Sequence, residues 1–404
     1  MNICVHHIAF DGWSAATLHR QLSTLYREAL SEQSDGANRA VVVRIALPAL
    51  QYRHFAAWQN RMLHSPVVGK QIEYWKEKLA DVEPPPRLAC ESRRIDPPVN
   101  ASPSARSDAL LERRILGDRL ARQLTQMAAR HRATPFMVLS AAFMTLLYRY
   151  TGQRDIAIGT ISAYRVRQEF EAIIGCFVNP LVLRQIVDPD LRFSELLAQM
   201  RATALAAFDH QDVPFDKLVE SLNARRDGGE HPFFRYLFIY QNMSEQALSF
   251  DGVNLQATMP AAQQTAQELT LWLQPVGEEL RITALFDPLH ISPSTTRRLF
   301  DHFERLLLAI LNDAHVRIKD LDYMGDQERA TLLQRFSGAS QLPGTVALNR
   351  ADTVMGPRAI VARFDTVVIR QPDHTALFAT DHPISYRQLQ QQSNAISDSL
   401  IQHG

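Results

Sequence analysis

Val5-His6-His7-Ile8-Ala9-Phe10-Asp11-Gly12-Trp13-Ser14 is the stretch on which the reading of this chain turns. Two adjacent histidines stand just before an Asp-Gly pair, and helical periodicity follows at once. The apolar lead-in Ile3-Cys4-Val5 reads as the end of a strand, Gly12 as a turn and Ser14 as a helix cap. An imidazole at such a passage from strand to helix is held rigidly and stays reachable from a cleft. Three readings of the pair are open. A shared metal ion is the first; neighbours on a strand point to opposite faces, and no Cys or further His follows at ligand spacing. The second is acid–base work by one imidazole, which titrates near neutral pH, with Asp11 holding the local backbone. The third is plain packing beside a turn, which a short motif alone does not exclude.

The rest of the composition narrows the choice. A length of 404 residues allows two or three domains, and 46% hydrophobic with 21% charged residues fits a folded chain with a sizeable core. Lys plus Arg equals Asp plus Glu at 43 each, so the basic surplus that nucleic-acid binding needs is missing. Cys4, Cys90 and Cys176 are odd in number and far apart, which argues against a disulfide framework or a zinc site and for a reducing cytoplasm. No apolar run reaches membrane-spanning length and no signal segment opens the chain, so a membrane or secreted protein is not expected.

Along the chain, periodicity predicts helices over 14–31, from Tyr52 through Met62, and over 72–79. The stripe Tyr52, Phe55, Trp58 reads as core packing. The stretch 31–39 reads as a loop, and the proline-rich segment 80–108 as the boundary between two lobes. Beyond it, strands are predicted at 110–115, 156–160, 233–241, 269–274 and 280–286, and 173–184 reads as a loop running into a strand. Helices are predicted at 116–131, from Thr134-Pro135 to Tyr150, at 193–208, up to Leu222 and at 294–311. The helix after Thr134 is apolar nearly all round and should be buried. Strands and helices mix without strict alternation, which gives a mixed α/β sandwich. The pattern weakens between Asp320 and Pro357, read as a linker. A new unit then begins: a helix at 360–369, a strand at 375–379, a turn at 381–383 and a helix running to His403.

Five motifs stand in one order: His6-His7-Ile8-Ala9-Phe10-Asp11-Gly12; Tyr52-Arg53-His54-Phe55-Ala56-Ala57-Trp58; Ile174-Gly175-Cys176-Phe177-Val178-Asn179; His210-Gln211-Asp212-Val213-Pro214-Phe215; and Arg226-Asp227 followed by His231-Pro232-Phe233-Phe234. Over residues 1 to about 325 this series resembles the condensation domains of nonribosomal peptide synthetases. Gln371-Pro372-Asp373 followed by Ile384-Ser385-Tyr386-Arg387-Gln388-Leu389 resembles the opening of an adenylation (AMP-binding) domain. Four segments follow: 1–108, part of an N-terminal lobe; 109–325, a C-terminal lobe; 326–357, a linker; and 358–404, an adenylation-domain start.

The resemblance implies a chloramphenicol acetyltransferase-like, two-lobed α/β sandwich, followed by an incomplete α/β adenylation start. It implies acyl transfer with peptide-bond formation. A donor thioester on one peptidyl carrier domain meets the α-amine of an aminoacyl thioester on another, both tethered through phosphopantetheine. No cofactor is expected on the condensation part itself, and ATP only with a complete adenylation domain. An adenylation domain in the same chain joins the two carrier domains as an expected partner; nucleic acid and membrane are not expected. His7 carries the family's catalytic position, acting as base or orienting the amine. Asp11 is implied to pair with an arginine elsewhere in the domain. Gly12 would turn the backbone and offer its amide to a developing oxyanion or the acceptor, and His6 is read as buried and architectural. Asn179 and Arg184 are read as lobe contacts, Asp212 as fixing a helix start, and Arg165 and Arg167 as solvated-loop or tunnel-bridging residues.

Aspartates replace the histidines in heterocyclisation domains, and epimerisation domains carry Gly-Trp-Phe-Thr where this chain has Gly175-Cys176-Phe177-Val178. The neighbourhood resembles the subtype that joins two L-residues. Relatives carry a longer stretch before the histidine motif, including first-lobe strands and an arginine that would partner Asp11. Met1 here lies five residues before His6, so an incomplete first lobe is expected. The alternative to an enzyme is then an inactive fragment serving at most as a carrier-domain docking surface.

Overall fold

The structure, a computed structural model, describes residues 3–34, 48–82, 87–88, 109–222, 232–241, 250, 252–253, 265, 267–336, 359–378 and 383–403. The chain divides into two compact units, Met1–Asp326 and Gln327–Gly404.

The first unit opens with α1 (Gly12–Ser34), α2 (Tyr52–Met62) and α3 (Pro66–Lys78). There follow β1 (Leu110–Leu116), α4 (Asp118–Arg130), α5 (Pro135–Thr151), β2 (Asp155–Ser162), β3 (Asn179–Ile186), α6 (Phe193–Asp209) and α7 (Phe215–Ser221). The unit closes with β4 (Tyr236–Tyr240), β5 (Leu269–Val276), β6 (Glu279–Phe286) and α8 (Pro293–Asn312). Three helices start the same way, with Ser65, Thr134 and Ser292 accepting a backbone N–H of the first turn and Pro66, Pro135 and Pro293 next to them. The hydroxyl satisfies one orphan donor, while proline supplies a helical φ where its missing N–H costs nothing. α5 ends on Gly152 at φ +72°, a left-handed stop that glycine adopts without strain.

Six strands form one mixed sheet in the order β1-β6-β5-β4-β2-β3. β2 runs antiparallel to β3 and parallel to β4, whereas β5 and β1 both run antiparallel to β6. β2 meets β4 at Gly159 opposite Leu237. A Cβ at Gly159 would fall 2.3 Å from the Phe234 ring, so this junction closes only around glycine. α4, α5, α6 and α8 pack with one another and against the sheet. Every residue of α5 from Met137 to Leu147 is buried, as its all-round apolar sequence requires.

The second unit contains α9 (Asp326–Phe336, its first residue closing the first unit), α10 (Ala359–Arg370), a hairpin of β7 (Thr375–Phe378) with β8 (Pro383–Ser385), and α11 (Tyr386–His403).

Several sequence expectations need correction. Ile3–Val5 do not form a strand; they are exposed and irregular, and a 3-10 turn over His7–Ala9 leads into α1. Among the described residues before 89, helices are the regular elements and no strand occurs. Residues 31–34 continue α1 instead of starting a loop, and the linker's beginning is the helix α9. β4 starts at Tyr236, three residues later than its apolar run suggests. The expected loop at 35–39, most of the segment 80–108, Arg226-Asp227, His231, the turn at 381–382 and the linker 337–357 lie outside the described residues.

Candidate active site

Asp11, not Ser14, caps α1. Its Oδ1 accepts the Ser14 backbone N–H at 2.7 Å, the geometry that short acidic side chains give at a helix start. The remaining capacity of the carboxylate reaches across the chain. Phe177 N–H donates to Oδ2 at 3.0 Å, and Arg165 Nη2 donates to both oxygens at 3.1 and 3.3 Å. The resemblance puts Asp11's arginine in the stretch before the histidine motif; the partner found here is instead Arg165, 154 residues downstream in the segment after β2. Neither is a solvated surface group, since the Arg165 and Asp11 side chains are 2% and 1% exposed.

Arg165 organises the rest of the site. Its Nη1 donates to the carbonyls of Phe170 and Ile173, its Nη2 also reaches Ser14 Oγ at 3.2 Å, and its guanidinium lies 4.0 Å from the Phe177 ring centroid. Burial pushes the guanidinium below its ordinary pKa, and the Asp11 carboxylate pulls it back. The preceding residue, Tyr164, sits at φ +47°, a left-handed conformation that costs a non-glycine residue about 1 kcal/mol or more. Its neighbourhood compels it: Tyr164 N–H donates to Ser162 Oγ, its hydroxyl donates to Asp212 at 3.1 Å, and its ring packs against Phe55 and Trp58. That turn directs Arg165 inward.

The loop 173–177 is stitched to α1 and α2. Ser14 Oγ donates to the Gly175 carbonyl and accepts the Gly175 N–H, at 2.8 and 3.0 Å. Tyr52 Oη donates to the Cys176 carbonyl at 2.7 Å. Gly175 has to be glycine, because a Cβ there would lie 2.1 Å from the Tyr52 ring. The aromatic stripe of α2 forms a satellite core with Tyr164, Phe170, Ile173 and Phe177, so its reading as packing holds. Burial raises the Tyr52 phenol and, foremost among its causes, the Cys176 thiol above their usual values.

His7 projects from the 3-10 turn and is exposed. Its Nδ1 stands 3.8 Å from Cys176 Sγ, the side-chain partner the ring has among the described residues. His6 is exposed, not buried as the sequence reading has it; its Nδ1 accepts the Ile8 N–H at 3.1 Å and caps the turn. Gly12 makes no left-handed turn. It is the exposed first residue of α1, and a Cβ there would meet nothing within 4 Å.

The other singled-out residues divide differently from expectation. Asn179 stays within 109–325: its amide donates to the Gln211 and Val213 carbonyls and its Oδ1 accepts the Phe215 N–H at the start of α7. Arg184 and Asp212 do cross to the N-terminal helices. Arg184 pairs with Asp155 and donates to the carbonyls of Lys78, Ala80 and Asp81 behind α3. Asp212 accepts from Gln71 of α3 at 2.8 Å instead of capping a helix. Arg167 stacks over Trp58 at 5.4 Å. Sequence reading undervalues Arg165, takes Ser14 only as a helix cap and gives Cys176 no role of its own, although Ser14 and Cys176 both lie inside quoted stretches. No group of three or more potential metal ligands occurs among the described residues. No helix there is long and apolar enough to cross a membrane.

Comparison with known proteins identifies the family and the fold. The family model described as "Condensation domain" matches residues 2–333. One of the linear gramicidin synthase proteins of Brevibacillus parabrevis is 34% identical over 403 residues, covering 99% of this chain and 7% of that protein. Surfactin synthase subunit 1 of Bacillus subtilis (strain 168) is 32% identical over 400 residues, covering 99% of this chain and 10% of its own length. The chain thus spans a tenth or less of these curated relatives. Among solved structures, the condensation domain from the Monacolin K polyketide synthase MokA superposes with TM-score 0.65 at 20% identity, covering 78% of this chain and 69% of that one. A four-domain nonribosomal peptide synthetase bound to AMP and glycine superposes with TM-score 0.60 at 17% identity, over 99% of this chain and 29% of its own. The shared architecture is the mixed, chloramphenicol acetyltransferase-like α/β fold around a central sheet. The chain belongs to the condensation domain family of nonribosomal peptide synthetases.

Proposed function

We propose that this chain forms amide bonds between two thioesters held on carrier domains, with His7 meeting the acceptor amine. The reaction is an acyl transfer. The acceptor α-amine attacks the donor carbonyl, the C–N bond forms, the C–S bond breaks, and the amine proton leaves with the departing thiol. The carrying observation is the position of His7, exposed on a 3-10 turn beside Asp11, which is locked by Arg165, Ser14 and Phe177. An exposed imidazole on a fixed base is suited to accept a hydrogen bond or a proton from an amine near neutral pH. Holding both reactants on tethers supplies proximity, worth several kcal/mol in such reactions. Both substrates arrive on phosphopantetheine arms of separate carrier domains, and the condensation part needs no cofactor of its own. Asp11, His6 and the α1 start at Gly12 serve as architecture. Arg184 and Asp212 tie the C-terminal lobe to the N-terminal helices, and Asn179 fixes the start of α7.

The second unit is proposed as the start of an adenylation domain. The similarity to the synthase proteins runs over 99% of the chain, past the family match ending at residue 333, and supports this reading. ATP would enter only with a complete adenylation domain. Cysteine usage and the relatives' role as peptide synthases favour a cytoplasmic setting.

The test is product formation. The purified chain is mixed with an aminoacyl-loaded donor carrier and an aminoacyl-loaded acceptor carrier, and the acceptor is read by mass spectrometry for a dipeptidyl thioester. Dipeptide made by the wild type and lost with His7→Ala supports the reading. A second reading, a carrier-docking surface without turnover, draws on the exposure of Ile3, Val5 and Ile8 around His7, at 47%, 45% and 75%. Carrier binding without any dipeptide would favour it.

A further inference from the structure

The His7 ring faces a sulfur at Nδ1 where a catalytic imidazole often faces a carboxylate. The nearest acid in sequence is engaged elsewhere, since both oxygens of Asp11 serve Ser14, Phe177 and Arg165. The sulfur's place is set by backbone. Gly175 is bonded through both its N–H and its carbonyl to Ser14 Oγ, the Cys176 carbonyl is held by Tyr52, and the Phe177 N–H by Asp11. The loop carrying Cys176 is therefore tied to the segment that carries His7, residue by residue on either side of the thiol.

We propose that Cys176 is the positioning residue of the His7 imidazole, holding its Nδ1 edge so that Nε2 is presented to the acceptor amine. This rests on His7 being the group that meets the amine. A thiol is a weak donor and a weak acceptor, so it orients the ring in its neutral form without committing it to charge. Burial keeps the thiol protonated at neutral pH. The charged groups facing it are Asp11 at the start of α1 and Arg165 after β2, which are paired with each other. A carboxylate in the same place would stabilise an imidazolium and slow the return of its proton.

The experiment compares Cys176→Ala, Cys176→Ser and Cys176→Asp in the full chain by two readouts. The first needs no turnover: carbethoxylation of His7 by diethyl pyrocarbonate across pH, followed by peptide mass spectrometry. Cys176→Asp is expected to raise the midpoint of that profile by about one pH unit or more, while Cys176→Ser stays near wild type. The second is dipeptide formation. Cys176→Ala is expected to lower kcat about tenfold, within the penalty for a misplaced reacting group, with KM for the acceptor carrier within about twofold; Cys176→Ser restores most of the rate. A midpoint unmoved by Cys176→Asp, or a Cys176→Ala variant with wild-type kcat, overturns the proposal. A shifted profile with a rate indifferent to His7→Ala keeps the Cys176–His7 coupling and removes the proposed role of His7.

Discussion

Removing the carboxylate at Asp11 should unseat the whole motif. In Asp11→Ala the Arg165 guanidinium stays buried at 2% exposure without its counter-charge, and breaking such a pair costs about 3–5 kcal/mol. The same substitution strips α1 of its cap, worth about 1 kcal/mol, and orphans the Phe177 N–H, worth about 1–3 kcal/mol. These losses share one side chain and do not add, so a total of about 3–5 kcal/mol is expected. The assay is urea unfolding of the full chain for wild type, Asp11→Ala, Arg165→Met and the double variant. Arg165→Met alone leaves Asp11 a buried carboxylate still held by two backbone N–H groups, so it should cost less. The double variant should be no worse than Asp11→Ala, with a coupling of about 1–3 kcal/mol between the sites. A loss under about 1 kcal/mol for Asp11→Ala, or strictly additive effects, would refute the reasoning.

Further outcomes can be checked alongside. Gly175→Ala should lose well over 1 kcal/mol by denaturant titration, because its Cβ would lie 2.1 Å from the Tyr52 ring within a packed cluster. Gly12→Ala should leave the unfolding midpoint level or slightly raised, its Cβ meeting open space in a helical backbone; a marked loss of stability would contradict the helix-start geometry. Tyr52→Phe should cost about 1 kcal/mol in the same titration by leaving the Cys176 carbonyl without its 2.7 Å donor. His290 is raised above its usual value chiefly by its hydrogen bond to Asp287, so its contribution is full below the unfolded value of about 6.5 and fades as pH climbs through the raised one. His290→Gln should thus lower stability at pH 5.5 by about a few tenths of a kcal/mol and leave it level at pH 8.5; equal losses at both would refute the assignment.

What can be read from residues alone follows the range of the interactions. α4 and α6 announce themselves through periodicity, and α5 and α8 also through a capping hydroxyl and a proline, all within a few neighbours. The strands of 109–286 show as apolar runs, but their order in the sheet, with parallel neighbours beside antiparallel ones, depends on distant pairings. His7 and Asp11 are visible as a motif. The partner of Asp11 is not, since Arg165 follows a strand among other polar residues and only the left-handed turn at Tyr164 swings it inward. Cys176 lies within a motif, yet its approach to His7 depends on four long-range hydrogen bonds that no spacing encodes. The helix α9 hides in an apparent linker because its few apolar residues give a weak pattern.

The most direct measurement is the single-turnover rate of dipeptide formation by wild type and His7→Ala on the same pair of loaded carriers. The account expects wild-type product and a fall of about a hundredfold or more in the variant, in the range by which positioned acid–base groups act. A His7→Ala chain that condenses the two substrates at the wild-type rate would contradict it.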